Sequence, residues 1–251
     1  MKLRLIRHAT LQVEFAGKQL LIDPLLAEPK VYPSMTFGAT AARNPMAPLP
    51  CAVETLLQPD MLVITHSHFD HFDSVAIDRL PKQLPLICQP ADQAQFVGYG
   101  FTQVIPVTSS PVTVENLQFI RTEGRHGKGI LGSVMGHVSG FIIKANQEPL
   151  LYIAGDTIWT PRVQAVLEQY HPDVIVLNTG AAQFNVGAPI TMTADDVVKV
   201  CQAAPQAKIV AVHLEAINHC RLKRQALTDH VAKAKVANQV SIPTDGELMT
   251  W

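Results

Sequence analysis

The feature that most constrains this chain is a hexapeptide, His66-Ser67-His68-Phe69-Asp70-His71, which closely follows the apolar run Met61 to Ile64. A short apolar run of this kind predicts a buried strand. Three histidines and an aspartate therefore occupy the turn that leaves it. A turn can aim alternate side chains into one cleft, whereas a continuing strand would send neighbours to opposite faces. Imidazole suits zinc and manganese, and a carboxylate neutralises charge and can serve a second ion. The chain has ten histidines in all, and three of them within six positions argue against a chance gathering of polar turn residues.

The remainder supplies a frame for such a site. Leu3 to Ile6, Leu11 to Phe15 and Gln19 to Ile22 read as short strands, with Gly17 at a turn, giving an antiparallel opening. Between Pro24 and Pro50 six prolines (Pro24, Pro29, Pro33, Pro45, Pro48, Pro50) deny backbone donors and predict a long irregular loop, an entrance flap or a subunit contact. Alternation then begins: the Met61 to Ile64 strand, a helix over Ser74 to Leu80, and a strand over Leu84 to Cys88. Val112 to Thr122, His137 to Lys144 and Pro149 to Ala154 return to antiparallel-like strands around the glycine-rich stretch Gly124 to Gly136. Mixed elements follow: a helix over Pro161 to Tyr170, a strand over Val174 to Leu177, and a helix to about Ala203 opened by a capping box of Thr193 and Asp196. A strand over Ile209 to Val212 and a helix from about Leu222 to Ala237 complete the pattern. Strands in both halves with interspersed helices predict an α/β chain of two packed sheets covered outside by helices. No linker divides it, so residues 1–251 are expected to form a single domain.

The HxHxDH pattern resembles the signature of the metallo-β-lactamase superfamily, and the resemblance extends over nearly the whole chain. It implies the αββα sandwich of two mixed sheets with helices on the outer faces. It also implies ligands at later strand ends: His126 in Arg125-His126-Gly127, Asp156 in Gly155-Asp156-Thr157, and His213 after Ile209 to Val212. By that resemblance His66, His68 and His126 hold one divalent metal ion, Asp70, His71 and His213 hold a second, and Asp156 bridges them. Zinc is preferred and manganese is the alternative. A shared carboxylate makes physical sense, because two dications about 3.5–4 Å apart repel strongly. His137 rivals His126, since both flank the glycine-rich stretch, and His219 rivals His213; His219 otherwise reads as substrate-contacting, supporting or structural. Asp156 alone would read as an Asx-turn or helix cap. Asp23, in Leu21-Ile22-Asp23-Pro24, matches an aspartate that organises the HxHxDH loop, against the default of a turn residue before proline. His8, in Arg7-His8-Ala9-Thr10, resembles the His-Ala-Thr opening of the lactonase-like and phospholipase D-like branch. It is expected either to protonate a leaving group or bind phosphate, or to make a strand-end hydrogen bond.

Water between two such metals becomes a nucleophile near neutral pH, which implies hydrolysis of an ester, lactone or phosphodiester in a small substrate that can be anionic. Asp70, His8 and His219 are the catalytic candidates. His68 stands where the oxygen-reducing di-iron branch carries a carboxylate, favouring hydrolysis over redox chemistry. The branch resembled includes L-ascorbate-6-phosphate lactonase, but Glu215, Asn218 and His219 replace the glycine, threonine and phenylalanine that commonly follow its last ligand. Arg221, Lys223 and Arg224 read as a solvated face. A formal charge of −1 over 251 residues gives no basic path for nucleic acid, which ranks a nuclease low. A regulatory metal-binding protein on the same fold would lack ligands, and the full set is present. The N-terminal residues are too charged for a signal peptide or membrane span, and the four dispersed cysteines lack any CxxC pair, so a cytoplasmic location with reduced thiols is expected. Homo-oligomerisation stays open.

Overall fold

The computed structural model of the chain describes residues 1–35 and 40–251; residues 36–39 of the proline-rich segment lie outside the described residues. The first half builds β1 (Lys2–Arg7), β2 (Thr10–Phe15), β3 (Lys18–Ile22), β4 (Met61–Ile64), β5 (Pro85–Cys88) and β6 (Gln103–Pro106). The second builds β7 (Val112–Val114), β8 (Leu117–Glu123), β9 (Ser139–Lys144), β10 (Leu151–Ile153), β11 (Val174–Asn178), β12 (Lys208–Val212) and β13 (Val240–Ser241). β14 (Leu248–Thr250) then returns to pair with β1.

Among the described residues these strands form two seven-stranded sheets, ordered β14-β1-β2-β3-β4-β5-β6 and β13-β12-β11-β10-β9-β8-β7. Each sheet is antiparallel on one side, through β3 and through β10, and parallel beyond. The halves therefore share one plan that is not visible as a repeat in the sequence.

Side-chain alternation sets the layers. Val210 and Val212 of β12 face the inter-sheet core with Phe15, Val63, Phe119 and Phe141, while Ile209 and Ala211 face outward into a second apolar layer. Strands buried on both faces read as continuous apolar runs, which is why β4, β11 and β12 stand out in the sequence. Truncating a buried aromatic such as Phe119 or Phe141 in a core of this kind typically costs ~3–5 kcal/mol.

Helices α1 (Ser74–Arg79) and α2 (Gln93–Gly98) cover the first sheet through Ala76 and Phe96. α3 (Gly129–Val134) lies within the glycine-rich stretch, and α4 (Pro161–Tyr170), α5 (Ala194–Ala203) and α6 (Arg224–Lys233) cover the second sheet through Val163, Val197, Leu227 and their neighbours. The capping box at α5 is complete: Thr193 Oγ1 accepts from Asp196 N and Asp196 Oδ2 accepts from Thr193 N, each at 3.2 Å. α6 begins two residues later than Leu222 because Glu215 accepts the Arg224 amide at 3.0 Å. Arg224 itself is half-buried between Glu215 and Asp245, a structural role that a solvated charge run does not suggest. Val112 to Thr122 is split into β7 and β8 by a turn at Glu115, whose φ is 52°. Among the described residues no helix is long and apolar enough to cross a membrane.

Candidate metal centre

His8, Asp23 and the HxHxDH loop follow β1, β3 and β4; His126, Asp156 and His213 follow β8, β10 and β12. All emerge on one rim of the sandwich and converge there. Donor atoms of His66, His68 and His126 lie within 4.8 Å of one another, as do those of His8, Asp70, His71 and His213, and those of His66, His71 and Asp156. Asp156 lies between the groups: Oδ2 is 3.5 Å from His126 Nε2, and Oδ1 is 3.4 Å from both His71 Nε2 and His213 Nε2. Asp70 Oδ2 is 3.6 Å from His213 Nε2.

These separations suit ligands of a cation better than ion pairs. Two donors each 2.0–2.1 Å from one zinc ion at the tetrahedral angle lie roughly 3.3 Å apart. The donor set passes a second test of fit, since the buried Nε2 atoms of His71 and His213 have no hydrogen-bond partner. Burial works against charge at His71, yet Asp156 and Asp23 outweigh it and lift the group to about 10. Burial alone would raise Asp156, but His213, His71 and His126 hold it well below the usual carboxylate range. The carboxylates thus demand positive charge on their histidines, the charge a divalent ion supplies instead.

Each imidazole is oriented from behind. His71 Nδ1 donates to Asp23 Oδ2 at 2.8 Å, and His126 Nδ1 donates to the Ile190 carbonyl at 2.9 Å. Thr65 Oγ1 donates to Asp23 Oδ2 at 2.7 Å and sits 3.1 Å from His66 Nδ1. His213 Nδ1 faces the Cys220 sulfur at 3.4 Å. Each contact engages Nδ1 and turns Nε2 toward the cluster, where those of His71 and His213 have no hydrogen-bond partner. His68 instead turns Nδ1 toward His66 Nε2, at 2.9 Å. The backbone bends sharply to achieve this convergence: His8, Asp23, His213 and Glu215 have φ of 61°, 45°, 66° and 66°. Left-handed backbone at residues other than glycine is costly and concentrates at functional sites.

Asn178, which donates to Asp156 Oδ1 at 2.7 Å, and Cys220 were not singled out in the sequence. Asn178 ends β11 and carried the same signal of a polar residue at a strand end as His213. Cys220 carried none. His137 is exposed and outside the donor groups, so His126 alone of that pair converges with the others. His8 is buried beneath the cluster, with Nε2 at 3.1 Å from Asp70 Oδ2 and its ring centroid 3.6 Å from that of His213. Burial, then the neighbouring His213, pushes His8 down to about 3, so its neutral Nε2–H donates to Asp70.

His219 faces a cavity of about 140 Å³ whose other walls are Met35, His68, Phe69, Asp70, His126, Met135 and Asp156. His8 is absent from that lining. Burial pushes His219 down to about 4, leaving it neutral, and its Nδ1 is unpartnered. Met35 and Phe69 also wall an adjoining chamber of about 430 Å³ with Tyr32, Pro33, Ser34 and Phe184. Arg121, Arg125 and Arg162 line another cleft, which shares His126 with this cavity.

Comparison with known proteins agrees with this geometry. The β-lactamase superfamily domain matches residues 18–214. The UPF0173 protein YddR of Bacillus subtilis is 37% identical, over 100% of both chains. The isothiocyanate hydrolase from Delia radicum gut bacteria superposes with a TM-score of 0.95 at 36% identity, over 100% of this chain and 99% of that one. A possible metal-dependent hydrolase from Veillonella parvula superposes at 0.96 with 32% identity and the same coverage, 100% and 99%. On the matched domain and this full-length identity, the chain belongs to the β-lactamase superfamily and, within it, to the UPF0173 family of metal-dependent hydrolases.

Proposed function

We propose that the chain is a binuclear metal-dependent hydrolase acting on a small, uncharged electrophile that carries an apolar arm, with an isothiocyanate as the leading substrate. The observation that carries this reading is the cavity above the donor groups: its described lining contains two methionines and a phenylalanine but no lysine or arginine. Beyond the charge that bound ions would supply, the described walls offer a phosphodiester or anionic lactone no side-chain cation, whereas Met35, Phe69 and Met135 suit an uncharged group. The adjoining chamber of Tyr32, Pro33, Met35, Phe69 and Phe184 suits an apolar arm. The likeness to an isothiocyanate hydrolase over the full chain supports the same choice.

His66, His68 and His126 would hold one ion, Asp70, His71 and His213 the other, with Asp156 shared. Imidazole-rich donors favour zinc, with manganese second. Bound there, two such ions supply an activated water and polarise the electrophile. The protein's part is orientation and proton handling. Asp23, the Ile190 carbonyl and Thr65 lock the imidazoles, and His8 holds Asp70. Met35, Phe69 and Met135 exclude bulk water. Neutral His219 offers an N–H beside the reacting atoms. For an isothiocyanate, water adds to the central carbon with loss of the C=N π bond and a proton passes to nitrogen. The second proton of the water then reaches nitrogen as the remaining C–N bond breaks, giving R–NH2 and carbonyl sulfide, so that R–NCS and H2O are fully accounted for.

A zinc-loaded sample is expected to contain about two metal equivalents and to consume phenethyl isothiocyanate with matching amine release. It should turn over bis(p-nitrophenyl) phosphate slowly or not at all. Efficient phosphodiester cleavage by a preparation inert toward isothiocyanates would overturn the substrate reading. Uncharged esters and lactones fit the same walls and form the second arm of the screen.

A further inference from the structure

Soon after His213 the chain carries three polar residues, Glu215, Asn218 and His219. Glu215 is engaged by Arg224, and His219 faces the cavity. Asn218 touches no reacting group, yet it is only 1% exposed and all its side-chain polar atoms are engaged. Oδ1 accepts from Met35 N at 3.0 Å and from Asn44 Nδ2 at 2.9 Å. Nδ2 donates to the Thr40 carbonyl at 2.7 Å. The Asn218 backbone N–H returns the contact, donating to Asn44 Oδ1 at 2.9 Å. Asn44, fully buried, gives its second amide proton to the Pro33 carbonyl at 3.2 Å.

Two amides 174 positions apart thus pair reciprocally, and between them they hold Pro33, Met35 and Thr40. An amide offers two acceptor sites and two donors, and few other side chains satisfy both sets at once. The consequence reaches the cavity. Met35, with Phe69, is a wall shared by the space over the donor groups and the apolar chamber, and His219, which lines the same space over the donor groups, is the next residue after Asn218. The Gln183 backbone amide donates to the His219 carbonyl at 3.0 Å, securing that side independently.

We propose that Asn218, paired with Asn44, is a positioning residue that fixes the Pro33–Met35 wall in register with His219 and thereby sets the opening through which an apolar substrate arm passes. The proposal rests on the substrate reading above. It predicts a selective defect, because a loosened wall weakens contact with a long arm and leaves a short substrate nearly unaffected.

The test uses the zinc-loaded enzyme and its Asn218→Ala and Asn44→Ala variants, with methyl and phenethyl isothiocyanate compared by KM and kcat separately. Metal content is expected to stay at the parent value in both. For Asn218→Ala, KM for the phenethyl substrate should rise about tenfold, while kcat/KM for the methyl substrate changes less than about twofold. Asn44→Ala leaves Met35 N its acceptor and should show the same selectivity more weakly; it also carries the test if Asn218→Ala does not fold. Hydrogen exchange at the Met35 amide should accelerate in Asn218→Ala. Equal losses on both substrates, loss of metal, or unchanged kinetics each overturn the assignment. If the parent hydrolyses neither isothiocyanate, the substrate reading is lost. Met35 exchange then decides the positioning claim by itself, and unchanged protection in Asn218→Ala refutes it.

Discussion

His71 and His213 face the same carboxylates from opposite halves of the molecule, yet different chemistry holds them from behind. His71 is fixed by a carboxyl partner, Asp23, which also accepts from the Thr65 backbone and hydroxyl at 2.7 Å each. His213 meets a thiol at 3.4 Å and is otherwise confined by packing, with the His8 ring 3.6 Å away between centroids. Its backbone also presses on Gly180, where an added Cβ would lie 2.3 Å from the His213 carbonyl oxygen. The first half thus orients His71 through a carboxylate, whereas the second half orients His213 and His126 through neutral partners, the Cys220 sulfur and the Ile190 carbonyl. Charge-assisted bonds are roughly twice as strong as neutral ones, so the two halves should respond differently to loss of a supporting side chain.

The largest expected effect removes the residue that both halves share. Asp156→Ala should drop metal content from about two equivalents to below one, with activity at background. Elemental analysis showing full occupancy would mean that the halves bind independently. Next comes His219→Ala, which should keep its metal and lose turnover by ~10²-fold, in the range for a lost proton-transfer group. Loss of an ion instead would move His219 among the ligands. Asp23→Asn isolates charge from conformation, because asparagine tolerates the same left-handed backbone. Metal affinity, measured by chelator competition, should weaken about 10–100-fold. The smallest effect is expected for Cys220→Ser, below about tenfold by the same assay. A Cys220 effect as large as that of Asp23→Asn would erase the contrast between the halves.

The same contrast explains what could be read in advance. His66, His68, Asp70 and His71 sit in one turn beside a buried strand, so local spacing alone announces a metal site. The sheets and most helices were legible because β4, β11 and β12 are apolar on both faces and α4 and α5 carry cap residues, Thr160 and Thr193. His126, Asp156 and His213 are isolated in sequence, and family resemblance together with their positions after strands ranked them above His137 and His219. α2 and β6 escaped notice because both are short and β6 is only half-buried at its sheet edge. Cys220, Asn44 and Asn218 were invisible as supports. Their partners lie on distant elements, and nothing local distinguishes such side chains from ordinary buried polar residues. The burial of His8 beneath Asp70 escaped for a related reason: a strand-end position specifies direction but not depth.

The left-handed backbone at His8, Asp23, His213 and Glu215 bears on how this scaffold can change its chemistry. β-Branched and bulky replacements there would strain the chain before touching any ligand. Tyr32, Met35, Phe69 and Phe184 carry no such φ constraint. Variation should therefore accumulate on those walls, so that new substrates are reached by reshaping the vestibule while the ion-holding framework stays fixed.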